Sequence, residues 1–109
     1  MKHTIRCRSF RALAKGTLRG FATIHVVELR VAIHDVALHK KGEARWAQLP
    51  SKPVVRDGRH IVDEATGKPQ YVSILEFDDR ETRDAFSARV WRAVAEQYPE
   101  VEPASEAPA

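Results

Sequence analysis

The sequence has little cysteine and no long apolar run. Its 109 residues include one cysteine, Cys7, so an intrachain disulfide is excluded. No apolar run approaches the ~20 residues that cross a bilayer. Residues 1–10 are basic and lack a following apolar core, which argues against a secretory signal. We therefore expect a cytoplasmic protein in a reducing compartment, with no membrane partner.

Glycine is also scarce, and the five glycines are not clustered. The chain therefore lacks a phosphate-binding glycine loop and a nucleophile elbow. Its five histidines form no ligand set at a usual metal spacing, and Cys7 has no second cysteine to join it. We predict no catalytic residue, no metal, no cofactor and no small-molecule substrate. One enzymatic alternative is a small nuclease using Asp35 and Glu43, although Mg²⁺ chemistry needs clustered carboxylates.

Positive charge is abundant and unevenly placed. All 18 lysines and arginines precede residue 99, whereas three of the 15 acidic residues follow it, which leaves residues 1–98 with a formal charge of +6. Residues 1–30 hold seven of these cations against Glu28 alone, and so also carry +6. A surface of this density attracts phosphates. It is equally the composition of a solvated strand that resists aggregation.

Strand patterns dominate residues 4–49. Residues 4–10 alternate between apolar and basic, which predicts a first strand with a basic face, and Lys15-Gly16 marks a turn. Residues 18–40 are rich in β-branched residues and change parity near residues 27–28 and 34–35. They predict two strands or one long bent β-ribbon, with breaks at these two points. Because strands usually have about 5–6 residues, a run of this length suggests a ribbon that leaves its domain to pair with a second copy.

The remaining elements are shorter, apart from one helix. A strand is predicted at 44–49, a polar loop at 54–69 with a short strand near 59–62, and a strand at 71–77. A helix is predicted at 79–98, with Asp78 as N-cap and an apolar stripe of Phe86, Val90, Val94 and Tyr98. The fold class is α+β, an antiparallel sheet with one C-terminal helix. We predict a single domain over 1–98 and a disordered tail over 99–109.

Basic residues on the predicted sheet make nucleic acid the favoured partner. Basic side chains interleaved with aromatics suit single strands, because bases stack and phosphates follow the charge. A basic ribbon also fits the major groove of a duplex. Taken alone, Trp46 is more readily a core residue, because aromatic residues on strands are usually buried. The predicted contacts on the sheet are Arg6, Arg8, Arg19, Arg30, Lys40, Lys41 and Trp46.

Two short motifs lie in a fixed order within residues 20–52. The first is a hydrophobic-His-Asp-hydrophobic step at 33–36, and the second is Pro50-Ser51-Lys52. In this order, after a basic first strand, they resemble the SpoVG family of bacterial septation and regulatory proteins. The similarity extends over roughly residues 4–60.

This resemblance implies a sheet-plus-helix fold, a homodimer formed by strand pairing, and binding to DNA or RNA without enzymatic activity. It also implies phosphate contacts at Lys52, Arg56 and Arg59. The favoured hypothesis is thus a dimeric nucleic-acid-binding regulator. The alternative is a protein-interaction module, such as an accessory factor of a phage or plasmid replication complex, that pairs through its ribbon.

Overall fold

Four antiparallel strands form the main sheet, in the order in which they occur along the chain. The computed structural model describes residues 3–101. The strands are β1 (Ile5–Lys15), β2 (Leu18–Val26), β3 (Val31–Lys41) and β4 (Ala44–Gln48), and each pairs with its neighbour in sequence. One helix, α1 (Arg80–Gln97), and a 3₁₀ turn (Pro99–Val101) follow. The predicted α+β class, with its antiparallel sheet and C-terminal helix, is confirmed.

A thin antiparallel arm connects β4 to α1. It consists of β5 (Ser51–Pro53), β6 (Val55–Arg56), β7 (Arg59–His60) and β8 (Tyr71–Ser73), where β5 pairs with β8 and β6 with β7. A bridge between Val62 and Pro69 continues the pairing. We call residues 51–73 the arm. The strand predicted at 71–77 is therefore shorter than expected, because β5 offers only three residues to pair with it.

The run from residue 18 to residue 40 is an ordinary hairpin within one chain. Its first predicted break is the turn between β2 and β3, where the Arg30 amide donates to the Val27 carbonyl at 3.2 Å. Its second is a bulge in β3, where two residues oppose Thr23 and Asp35 has a φ of 57°. Both breaks are confirmed. The prediction that this ribbon leaves its domain is wrong, because β2 and β3 are the central strands and pair with each other, with β1 and with β4.

The core lies between one face of the sheet, the helix face, and the apolar stripe of α1. The sheet contributes Ile24, Val36 and Leu38, all fully buried, and the helix contributes Val90 and Val94. The cluster also includes Cys7, Ala22, Ala47, Phe86, Trp91 and Val101. Val101 is only 2% exposed. The prediction of disorder over 99–109 was therefore wrong at Val101, which packs against the core after the helix. The rest of the predicted tail, residues 102–109, lies outside the described part of the chain.

The helix begins one residue later than the capping pattern predicted. Asp79, not Asp78, is the N-cap, and its carboxylate accepts a hydrogen bond from the Thr82 amide at 2.7 Å. This bond favours the ionised form and lowers the pKa of Asp79. Pro99 follows the C-cap residue Tyr98, which agrees with the predicted end of the helix.

Side chains of α1 bond to the backbone of both outer strands. The Ser87 hydroxyl accepts from the Ala47 amide at 3.1 Å and donates to the Ala47 carbonyl at 3.2 Å. At the other edge, Gln97 donates to the Cys7 carbonyl at 3.0 Å and Arg89 to the His3 carbonyl at 3.0 Å. Side chains of α1 thus reach both edges of the sheet.

Candidate nucleic-acid interface

The sheet face that points away from α1 carries Trp46 and two exposed arginines, Arg6 and Arg11. We call it the open face. Side chains alternate between the two faces along a strand. Val36 and Leu38 are buried on the helix face, so the residues next to them in β3 point to the open face. Register places these residues on it: Arg6, Ser9 and Arg11 from β1, Phe21, Thr23 and His25 from β2, His34, Ala37 and His39 from β3, and Trp46 and Gln48 from β4.

Trp46 and His39 form a stacked pair on this face. They lie opposite each other in the β3–β4 register, with ring centroids 5.3 Å apart and planes inclined by 5°. The Thr17 hydroxyl lies 2.9 Å from His39 Nδ1 and fixes the imidazole. Partial burial lowers the pKa of His39, so its ring is neutral near pH 7. The indole of Trp46 is 36% exposed and is therefore available to a ligand.

Arg11 and Phe21 form a second pair. They lie opposite each other on β1 and β2, and the Arg11 guanidinium is 5.7 Å from the Phe21 ring centroid, a cation–π distance. Phe21 is separated from Trp46 by two strand spacings and two residues, or about 12 Å. The open face thus presents two aromatic rings on neighbouring parts of one surface, each with a polar or cationic companion.

A small hollow lies beside Phe21, next to the bulge in β3. It has a volume of about 180 Å³, and its polar lining comes from Ser9, Arg11, Thr23 and Asp35. The bulge positions Asp35 there, and it also brings the His34 ring to the Thr23 hydroxyl, with Nδ1 and Oγ1 3.2 Å apart. The hollow therefore combines an aromatic wall with hydroxyl and carboxylate groups.

Five of the predicted contacts on the sheet are exposed, and two of them lie on the open face. Arg6 and Trp46 lie on the open face, and Lys41 is exposed where β3 ends. Arg8 is exposed too, although it occupies a bulge between Cys7 and Ser9 and so does not share the face of Arg6 by simple alternation.

Lys40 is placed differently from the prediction. Its side chain is 4% exposed and lies on the helix face, opposite Arg45 in the register. Its amide donates to the Thr17 carbonyl at 2.8 Å, which places Lys40 inside the sheet rather than at a free tip. The prediction of Lys40 as an exposed contact at the tip is therefore wrong.

The other predicted cations lie apart from the open face. Arg19 is half-buried and donates to the Gly16 and Leu18 carbonyls at 3.3 and 3.4 Å. Arg30 is exposed in the turn between β2 and β3. The contacts implied by the family resemblance are exposed on the arm: Lys52, Arg56 and Arg59.

The carboxylates of the nuclease hypothesis are far apart. Asp35 lies in the bulge of β3, whereas Glu43 lies in the turn after it, about 20 Å away by strand rise. Within residues 3–101, no group of three histidine, cysteine, aspartate or glutamate residues is arranged to hold a metal ion. The described geometry gives this hypothesis no support.

Comparisons with known proteins return no relative. No family model, curated protein or solved structure matches the chain. The similarity to the SpoVG family thus stays a prediction carried by its two short motifs. Over the described residues, no helix has the length and apolar character needed to cross a membrane.

Proposed function

We propose that the protein is a non-enzymatic regulator that binds nucleic acid through the open face of its sheet. The observation that carries the proposal is the pairing of aromatic and polar groups there, Trp46 with His39 and Phe21 with Arg11. Aromatic rings on an exposed sheet provide stacking surfaces for unpaired bases, which are tolerant of base identity because every base has a π-face. The helix occupies only the other face, so these rings stay accessible.

Charge supports the same surface. Arg6 and Arg11 are exposed on β1 and flank the aromatic residues, and Lys41 is exposed at the end of β3. A backbone that follows the face would meet these cations while its bases stack. Binding would release counterions, and affinity would fall as salt rises.

A second candidate function is a protein-interaction module, and the arm is the feature that favours it. Tyr71, Ile74 and Val55, in the arm or just after it, are between 55% and 60% exposed. Exposed apolar side chains concentrated on one segment are typical of a surface that contacts another chain. The proposed homodimer fits such a contact better than an exchanged ribbon, since β2 and β3 have neighbours on both sides.

Fluorescence anisotropy with a labelled single strand and the matching duplex tests nucleic-acid binding. We expect binding at low salt, a steep loss of affinity as salt rises, and about tenfold weaker binding by Trp46→Ala, the lower part of the range for one stacked base. Arg11→Ala should also weaken binding. Arg92→Ala is the matched control, because it removes an exposed arginine from the helix.

Two results would contradict the proposal. One is no binding of either nucleic acid at low salt. The other is an equal loss of affinity in Arg11→Ala and Arg92→Ala, which would mean that general charge, and not the open face, causes binding. Light scattering on the same samples gives the oligomeric state, and a larger species without nucleic-acid affinity would favour the interaction module.

A further inference from the structure

The hollow beside Phe21 has the size of a site for one planar ring system. Its volume of about 180 Å³ is below the ~300–1,000 Å³ typical of sites for drug-sized ligands. The Phe21 ring and the Arg11 guanidinium supply an apolar and a cationic plane at one side. Bases stack on both kinds of plane. A base pair is too wide for this space, whereas a single unpaired base fits it.

Asp35 makes the hollow a poorer site for phosphate than Arg11 alone would make it. Asp35 contributes a carboxylate, which repels an anion and accepts hydrogen bonds from N–H groups. Ser9 and Thr23 add hydroxyls, of which that of Thr23 is already in contact with His34. A ligand edge that faces Asp35 is therefore favoured if it carries hydrogen-bond donors, such as the N–H groups of a base.

The backbone keeps Asp35 in this position. Asp35 has a φ of 57°, in the left-handed region that aspartate and asparagine enter more readily than most residues. The β3 bulge has one extra residue, so that His34 and Asp35 both lie opposite Thr23 of β2. The bulge thus fixes the backbone of Asp35 beside the hollow that this residue lines.

We infer that this hollow binds one unpaired guanine of a single strand, with Asp35 accepting from its base edge. This inference rests on the proposed function and specifies its ligand. The Watson–Crick edge of guanine carries two adjacent N–H donors, which suit one carboxylate. The corresponding edges of adenine, cytosine and uracil or thymine each place an acceptor beside a donor. In a duplex this edge is already paired, so the site selects single strands.

The test compares oligothymidines that differ in one central base: guanine, inosine, adenine or thymine. We expect the guanine oligonucleotide to bind about tenfold more tightly than the adenine one, within the range of a bidentate base contact. Inosine lacks the exocyclic amino group of guanine and should fall between them. Phe21→Ala should weaken binding of all four.

Substitution of Asp35 separates base reading from general affinity. Asp35→Asn keeps a side chain that tolerates this backbone but loses the charged acceptor. It should abolish the guanine preference while oligothymidine binds as tightly as before or more so. The matched control is Asp57→Asn, because Asp57 has a similar φ of 53° but lies in the arm. It should leave the preference intact.

The outcomes distinguish this inference from the proposal beneath it. Equal affinity for the guanine and adenine oligonucleotides would overturn the inference alone, as would a guanine preference that survives Asp35→Asn in a variant with unchanged circular dichroism. No binding of any single strand at low salt would overturn both.

Discussion

The Ser87→Ala variant tests whether the contact between α1 and β4 stabilises the fold. Ser87 lies in the middle of the helix, and its hydroxyl is both acceptor for the Ala47 amide and donor to the Ala47 carbonyl. Two opposing effects follow from the substitution. Alanine favours helix formation more than serine does, by up to about 0.5 kcal/mol. The lost hydroxyl, however, leaves both backbone groups of Ala47 without their partner.

Burial decides which effect is larger. Ser87 and Ala47 are 7% and 6% exposed, so water has little access to the groups that lose their bonds. An unsatisfied buried donor or acceptor costs about 1–3 kcal/mol. We therefore expect the free energy of unfolding to fall by about 2 kcal/mol after the helix gain is subtracted. For a domain of this size, that lowers Tm by about 10 °C.

Urea denaturation followed by circular dichroism measures this change. The midpoint should fall while the m-value stays constant, because the same surface is exposed on unfolding. Thr82→Ala is the control, since Thr82 is exposed in the first turn of α1 and the substitution changes helix propensity without removing a side-chain bond to the sheet. A Ser87→Ala protein as stable as the wild type would refute the reasoning.

Two further predictions concern His39 and Gly20. Burial lowers the pKa of folded His39 below its ordinary 6.5, so the unfolded chain binds the proton first as pH falls. The free energy of unfolding should therefore fall as pH drops below about 6.5, and level off below the folded pKa. His39→Gln should flatten this slope in denaturation curves recorded across pH. Gly20→Ala places a methyl group against the Arg11 carbonyl and 2.5 Å from the Phe10 ring, and should cost about 3 kcal/mol. Gly42→Ala meets no atom within 4 Å and should cost about 1 kcal/mol, from its positive φ alone. Equal losses for the two glycine variants, or a pH slope unchanged by His39→Gln, would contradict these expectations.

Local pattern was sufficient to predict most of the fold. The alternation of Ile5, Arg6 and Cys7 predicts a strand with one buried face, and the change of parity at His34 and Asp35 predicts the bulge. Both features depend only on neighbouring residues. The stripe of α1 was predicted for the same reason, because the spacing of Phe86, Val90 and Val94 follows the helical period.

The pairing between strands was harder to predict from the sequence. The sequence did not distinguish two strands from one long ribbon over residues 18–40, because apolar residues, including Leu29 and Val31, continue through the turn. β1 was predicted to end at Phe10, since the residues that follow include alanines with little strand preference. Residues 11–15 nevertheless belong to β1, because β2 pairs with this strand as far as Lys15.

These errors explain which parts of the candidate site were missed. Arg11 belongs to the unpredicted end of β1, so its contact with Phe21 was not foreseen. Lys40 next to Lys41 and Gly42 resembles an exposed turn, yet register turns its side chain towards the helix face. A side-chain direction near a strand end depends on the register of the partner strand, which a single sequence does not specify.

The contacts of α1 with both outer strands have a consequence for biosynthesis. Every strand of the main sheet precedes α1 in the chain, so the ribosome releases a sheet with two bare edges before the helix whose side chains bond to them. Bare edges are templates for pairing with other chains. During that interval the positive charges of β1, Arg6, Arg8 and Arg11, would oppose intermolecular strand addition at the β1 edge. Arginines proposed to attract phosphate in the folded protein would then also keep nascent chains apart.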